Sequence, residues 1–169
     1  HRDPENLMRF SPRLLSLPTL LAASFVLTSC ADPVPLYVDQ AWVRPATSAD
    51  APAGGYFVIH GGPEDVKLRG IETEAAQRIE MHQSMMKGGM MTMAPLDAVD
   101  VPAKTTVAFA PGGKHLMIFG LNPVAVSAGK LTMTMIFSNG DRLLVDAVVQ
   151  KPGGAAPPVA AGNDSHTDH

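Results

Sequence analysis

The chain has 169 residues and a formal net charge of −3, and 46% of its residues are hydrophobic. This charge provides no basic surface of the kind that nucleic-acid binding requires, and the apolar content excludes disorder along the whole chain. Ten Met stand against a single Cys, and fifteen Pro with fifteen Gly predict many short elements joined by turns, which favours strands over long helices.

The N-terminal residues 1–29 predict an export signal that begins at Met8, with 1–7 upstream of it. Two arginines precede an apolar run over 14–27, which is shorter than the roughly 20 residues of a membrane span but fits a signal-peptide core. The run ends in Leu-Thr-Ser-Cys30, which resembles the bacterial lipobox, where the signal is cut before the Cys and its sulfur carries a diacylglycerol. A general secretory signal with an incidental Cys, or an uncleaved anchor, is the alternative.

A lipid on Cys30 would leave the mature protein without a thiol, because no other Cys is present. Disulfide exchange, Cys nucleophiles and thiolate-based blue-copper or zinc sites would then be excluded. We expect 30–35 to form the lipidated Cys and a tether. The protein would lie at the periplasmic face of a bacterial membrane, and the choice between inner and outer membrane stays open.

The segment 36–150 contains short strand-like runs bounded by Gly, Pro and Asp, several of them alternating with period two. The predicted strands are Leu36–Val43, Gly55–His60, Asp65–Thr73, Arg78–His82, Thr105–Ala110, His115–Leu121, Lys130–Phe137 and Arg142–Val149. No sustained 3.6-residue stripe follows the signal, so we expect little helix. Seven or eight short strands separated by turns predict an all-β fold, an antiparallel sandwich or barrel.

Soft metal donors are concentrated between Met81 and Met117, in MHQSMMKGGMMTM and PGGKHLM. A thioether is a soft, neutral donor that suits Cu(I) better than zinc, calcium or magnesium, and neutral imidazole is its natural companion. His115 and Met117 are two apart in a strand-like run, so their side chains leave one face of the sheet. A turn at the glycines 88 and 89 would bring the following Met residues back toward His82.

The spacing His-x10-Met-x21-His-x-Met, counted from His82, resembles that of the periplasmic copper chaperones called PCu(A)C. The sequence AWVRP at 41–45 is similar to the family's opening strand, and PGG at 111–113 to its turn before the second His. The resemblance spans about 36–149. It implies a single-domain, cupredoxin-like antiparallel β-sandwich of Greek-key topology. The ligands that it implies for one Cu(I) are His82, Met93, His115 and Met117.

The same resemblance implies a carrier rather than an enzyme, with the cytochrome c oxidase copper-site domain or a Sco-type copper protein as partner. A periplasmic copper-resistance or buffering protein without a dedicated acceptor is the alternative function. An electron-transfer cupredoxin is excluded by the missing thiolate. No Ser-His-Asp arrangement, carboxylate pair or phosphate-binding glycine loop indicates catalysis.

Further Met and His residues carry weaker signals. Met85, Met86, Met90 and Met91 predict an exposed loop with either a copper-capturing or a partner-docking role, whereas Met81, Met133 and Met135 fit core packing. Residues 151–169 predict a flexible tail, because Gly, Pro and Ala have little to bury. For His166 and His169 in that tail, a solvated end and a weak Cu(II) site are both open.

Overall fold

The computed structural model describes residues 31–48 and 50–155. Cys30, the apolar run before it, and the tail histidines lie outside the described residues. The described part forms β1 (Tyr37–Arg44), β2 (Ala53–His60), β3 (Val66–Glu72), β4 (Arg78–Lys87), β5 (Met90–Leu96), β6 (Val99–Val101), β7 (Thr106–Phe109), β8 (Lys114–Phe119), α1 (Pro123–Ala128), β9 (Lys130–Phe137) and β10 (Arg142–Val149). Across these two ranges, none of the helical structure is long and apolar enough to cross a membrane.

The predicted all-β fold class is confirmed, and all eight predicted strands are present, β9 and β10 with the predicted bounds. β4 extends five residues beyond the predicted end at His82, and β5, β6 and α1 were not predicted. The helix depends on its caps: the Asn122 side chain accepts a hydrogen bond from the Val124 N–H, and Gly129 ends the helix in the left-handed conformation. Six residues are too few to show a helical period in the sequence.

The strands follow one another in the order β5-β4-β8-β2-β1-β10-β9-β3-β6, with β7 also paired to β2. Neighbouring strands in the described residues pair antiparallel, except that β1 and β10 pair parallel. A single buried cluster collects side chains from β4 and β8 near one end of this order and from β3 and β9 near the other. The sheet therefore folds over onto itself and encloses the core as a sandwich.

The core fixes the orientation of β8. Leu116 and Ile118 are fully buried, and the neighbouring rings of Phe57 and Phe109 stack with their centroids 4.3 Å apart. Because side chains alternate along a strand, burial of these two β8 residues places His115 and Met117 on the opposite face. Complete burial of a side chain such as leucine contributes about 1.5–3 kcal/mol, so this orientation is strongly preferred.

The Met-rich segment forms a regular β-hairpin, where the sequence predicted an exposed loop. Its strands pair from Met81 opposite Leu96 to Lys87 opposite Met90. The turn residues Gly88 and Gly89 both have positive φ, 58° and 80°, as a type I′ turn requires. The predicted turn at these glycines is confirmed, and strand pairing satisfies the backbone groups that a loop would leave to water.

Candidate metal centre

Three neighbouring strands bring the four predicted ligands to one face of the sheet. β4 lies between β5 and β8, and His82 on β4 is directly opposite His115 on β8. Residues directly opposite each other in antiparallel strands project to the same side. Met117 is two residues from His115, and Met93 lies opposite Ser84, two residues from His82. Both Met residues therefore share the face of the two histidines.

The two imidazoles are close enough to share one ion. Their ring centroids are 6.1 Å apart, and their planes are tilted by 33°. A metal about 2.0–2.1 Å from a ring nitrogen lies roughly 3 Å from the ring centre, so rings that share an ion have centroids roughly 6 Å apart or closer. The spacing of His82 and His115 meets this requirement.

His115 is held in one tautomer by the backbone. Its side chain is buried, and Nδ1 lies 3.0 Å from the Gly113 carbonyl oxygen. A carbonyl oxygen can only accept a hydrogen bond, so Nδ1 carries the hydrogen and Nε2 of the neutral ring keeps a free lone pair. The turn over 111–113 thus fixes both the position of the ring and the nitrogen that is left for a metal.

In His82 the roles of the two ring nitrogens are reversed. Nε2 lies 3.0 Å from Glu80 Oε2, and a carboxylate accepts this hydrogen bond, so Nε2 is the donor. Nδ1 is buried and has no hydrogen-bond partner among the described residues. A buried, unpaired polar nitrogen is costly, and binding of a metal ion there would remove that cost.

Glu80 is a residue of the site that the sequence reasoning missed. The hydrogen bond from His82, followed by that from Arg78, holds the pKa of its carboxyl below the ordinary value, so the group is ionised at neutral pH. Arg78 Nε lies 2.6 Å from Glu80 Oε1, and its guanidinium stacks over the Phe119 ring at 4.0 Å. Glu80 stands two residues before His82 on the same strand, and this parity was the signal that could have found it. A carboxylate behind a histidine ligand raises its basicity and fixes its ring.

The thioethers give the site its chemical character. Met93 is 59% exposed on the edge strand β5, and Met117 is half-buried on β8. Each lies diagonally across from His82, at a Cα separation of about 7–8 Å that a long side chain can span. Two unprotonated imidazole nitrogens and two thioether sulfurs form a soft, neutral donor set, open to solvent on the Met93 side. Such a set suits a soft monovalent ion.

The four additional Met residues divide between the two faces of the hairpin. Met86 pairs with Met91 and shares the face of Met93, whereas Met85 and Met90 project from the opposite face. All four are exposed. Met81, Met133 and Met135 are buried in the core, as predicted.

Comparison with known proteins places this domain in a family. A profile of the family described as "Putative lipoprotein LpqE-like" matches residues 36–149. The chain belongs to the LpqE-like family. A curated relative, "Putative lipoprotein Lxx21020" of Leifsonia xyli subsp. xyli, is 30% identical over 161 residues, which cover 88% of this chain and 96% of that protein.

Solved structures similar to this LpqE-like chain include PCuAC domains. The Cu(I) form of DR1885 from Deinococcus radiodurans is 27% identical with a TM-score of 0.54, over 73% of this chain and 83% of that one. A copper-bound PCuAC domain from PmoF2 is 21% identical with a TM-score of 0.56, over 72% of this chain and 97% of that one. The PmoF2 likeness concerns the fold alone. The predicted PCu(A)C-type, cupredoxin-like architecture is therefore confirmed.

Proposed function

We propose that this LpqE-like protein is a metallochaperone that holds one Cu(I) between His82, Met93, His115 and Met117 and passes it to an acceptor. The observation that carries the proposal is the pair of facing imidazoles. Each has one nitrogen engaged as a donor, to Gly113 or to Glu80, and the other free for a metal. Two thioethers on the same face complete the set.

The donor set favours Cu(I) over the ions that commonly compete with it. Thioethers are poor ligands for zinc, calcium and magnesium, and none of the four side chains needs to lose a proton. Neutral ligands leave the bound ion with its single positive charge. The structural relative DR1885 supports this choice, since it was solved in a Cu(I) form.

The position of the site suits a carrier without catalysis. Met93 lies on an edge strand and is 59% exposed, so an acceptor can approach the ion from that side. The acceptor that we propose is the copper-site domain of cytochrome c oxidase or a Sco-type copper protein, on the basis of the resemblance of the ligand spacing. A buffering protein without an acceptor is the second candidate, favoured by the exposed Met residues of the hairpin.

We also propose export and a lipid anchor on Cys30, at the periplasmic face of a bacterial membrane. The LpqE-like description and the name of the Leifsonia relative both refer to a lipoprotein, which supports the lipobox interpretation of 27–30.

Transfer kinetics distinguish the chaperone from the buffer. The mature chain (30–169) is loaded with one Cu(I) and mixed with increasing concentrations of a soluble oxidase copper-site domain. A chaperone passes the ion within a complex, so the transfer rate should rise with acceptor concentration. A rate that stays at the spontaneous release rate at every acceptor concentration would favour the buffer. The paired variant His115→Ala, Met117→Ala should bind Cu(I) much more weakly in competition with a Cu(I) chelator. An unchanged affinity would contradict the assignment of these residues as ligands.

A further inference from the structure

The tip of the β4–β5 hairpin presents thioethers in an ordered array. Met86 and Met91 are a directly opposed pair, and Met93 follows Met91 by two residues on the same face. All three side chains are exposed. The thioethers of Met86 and Met91 therefore continue the ligand face outward, from Met93 to the end of the hairpin.

The strand register brings these three residues close together. The Ser84 N–H donates to the Gly113 carbonyl at 3.0 Å, away from β5, so Ser84 and Met93 form a pair without mutual hydrogen bonds. Met86 and Met91, two positions along, are a pair of the same type, in which the Cα atoms are about 4.5 Å apart. Met91 and Met93 are separated by about 6–7 Å along the strand. Flexible side chains of this length can place three sulfurs around one ion.

The opposite face of the hairpin lacks this arrangement. Met85 is opposite Thr92, and Met90 is opposite Lys87, so no two thioethers on that face are directly paired. The Lys87 ammonium would also repel a cation there. The four additional Met residues thus provide an internal control, because two lie on each face of the hairpin and only Met86 and Met91 share the face of Met93.

We propose that Met86, Met91 and Met93 form an accessory Cu(I) site that captures the ion and passes it inward. The proposal rests on the proposed function, because Met93 is shared with the four-residue site and only one of the two sites is filled at a time. The ion moves by ligand replacement. Sulfurs of Met86 and Met91 leave the ion as the nitrogens of His82 and His115 bind it, and copper remains Cu(I) with no proton transferred.

Methyl NMR of the mature chain, labelled with 13C at the Met methyl groups, tests the site directly. Cu(I) is added under a reductant, and Ag(I) serves as a redox-inert probe of the same soft character. In the variant His115→Ala, Met117→Ala, we expect Met86, Met91 and Met93 to shift together, while Met85 and Met90 stay in place. Equal shifts on both faces of the hairpin, or none at Met86 and Met91, would overturn the accessory site.

Loading kinetics provide the second test. The variant Met86→Leu, Met91→Leu should take up Cu(I) from a chelator about tenfold more slowly, since it lacks the tethered capture step, and its final affinity should stay the same. The matched variant Met85→Leu, Met90→Leu should load at the wild-type rate. Equal loading rates in the two variants would overturn the proposal. This holds even if Met86→Leu, Met91→Leu transfers copper to an acceptor more slowly, because the hairpin would then act in docking the acceptor. If the wild-type chain binds one Cu(I), the proposed chaperone function stands whether or not the accessory site exists.

Discussion

Replacement of Glu80 tests whether the carboxylate prepares His82 for a metal. Glu80 supplies the hydrogen bond that fixes the proton of His82 on Nε2, at 3.0 Å, and leaves Nδ1 free. Because the hydrogen bond from His82, followed by that from Arg78, holds the pKa of the Glu80 carboxyl below the ordinary value, the acceptor is ionised at neutral pH. Loss of such an outer partner weakens metal binding by about 10- to 100-fold, so we expect a loss of this size in Glu80→Ala. Glu80→Gln keeps an acceptor without charge and should lose less.

The assay is competition for Cu(I) with a chromophoric chelator at neutral pH. Glu72→Ala is the matched control, because Glu72 is also a carboxylate in an ion pair, with Arg142 at 2.9 Å, but is exposed and lies on β3. Exposed ion pairs contribute little to stability, so both variants should remain folded. If Glu80→Ala and Glu72→Ala bound Cu(I) with the same affinity as the wild type, the assigned role of Glu80 would be refuted.

Three further predictions concern the parts that support the site. Leu116→Ala should lower the free energy of unfolding by about 2–5 kcal/mol in a denaturant titration, whereas Val148→Ala at an exposed position should change it by about 0.5 kcal/mol or less; equal effects would contradict the packing of β8. Gly88→Asn should preserve the hairpin and Cu(I) affinity because Asn-Gly suits the type I′ turn, whereas Gly88→Val, at a positive φ, should cost about 1–2 kcal/mol and weaken binding through displacement of Met93. Cys30→Ser should abolish fatty-acid labelling of the chain in a bacterial host, and an equally labelled variant would exclude the lipobox.

The alternation of apolar and polar residues and the positions of turn residues predicted much of the fold. β9 and β10 were predicted to the residue, because their buried and exposed positions alternate in the sequence. β5 was missed because a Met-rich segment has no β-branched run, and its strand conformation depends on pairing with β4 across Gly88 and Gly89. The parallel pairing of β1 with β10 joins distant segments, and no local pattern in either strand indicates it.

The residue types of the candidate site and their spacing could be predicted from the sequence. Their arrangement in space could not, because it depends on the order of the strands in the sheet. Period-two alternation places His115 and Met117 on one face, but only the strand order brings β4 between β5 and β8. The free nitrogens of His82 and His115 depend on partners that the sequence reasoning did not assign, Glu80 and the Gly113 carbonyl. The division of the additional Met residues between two faces likewise follows from the hairpin register.

X-ray absorption spectroscopy of the mature chain loaded with one Cu(I) identifies the atoms that bind the ion. We expect two nitrogen and two sulfur scatterers around the ion, with one sulfur lost in Met117→Leu and one nitrogen lost in His82→Ala. The variant Met133→Leu, at a buried core position, should leave the spectrum unchanged. A coordination shell without sulfur, or one that is the same in Met117→Leu as in the wild type, would contradict the assignment of the copper site.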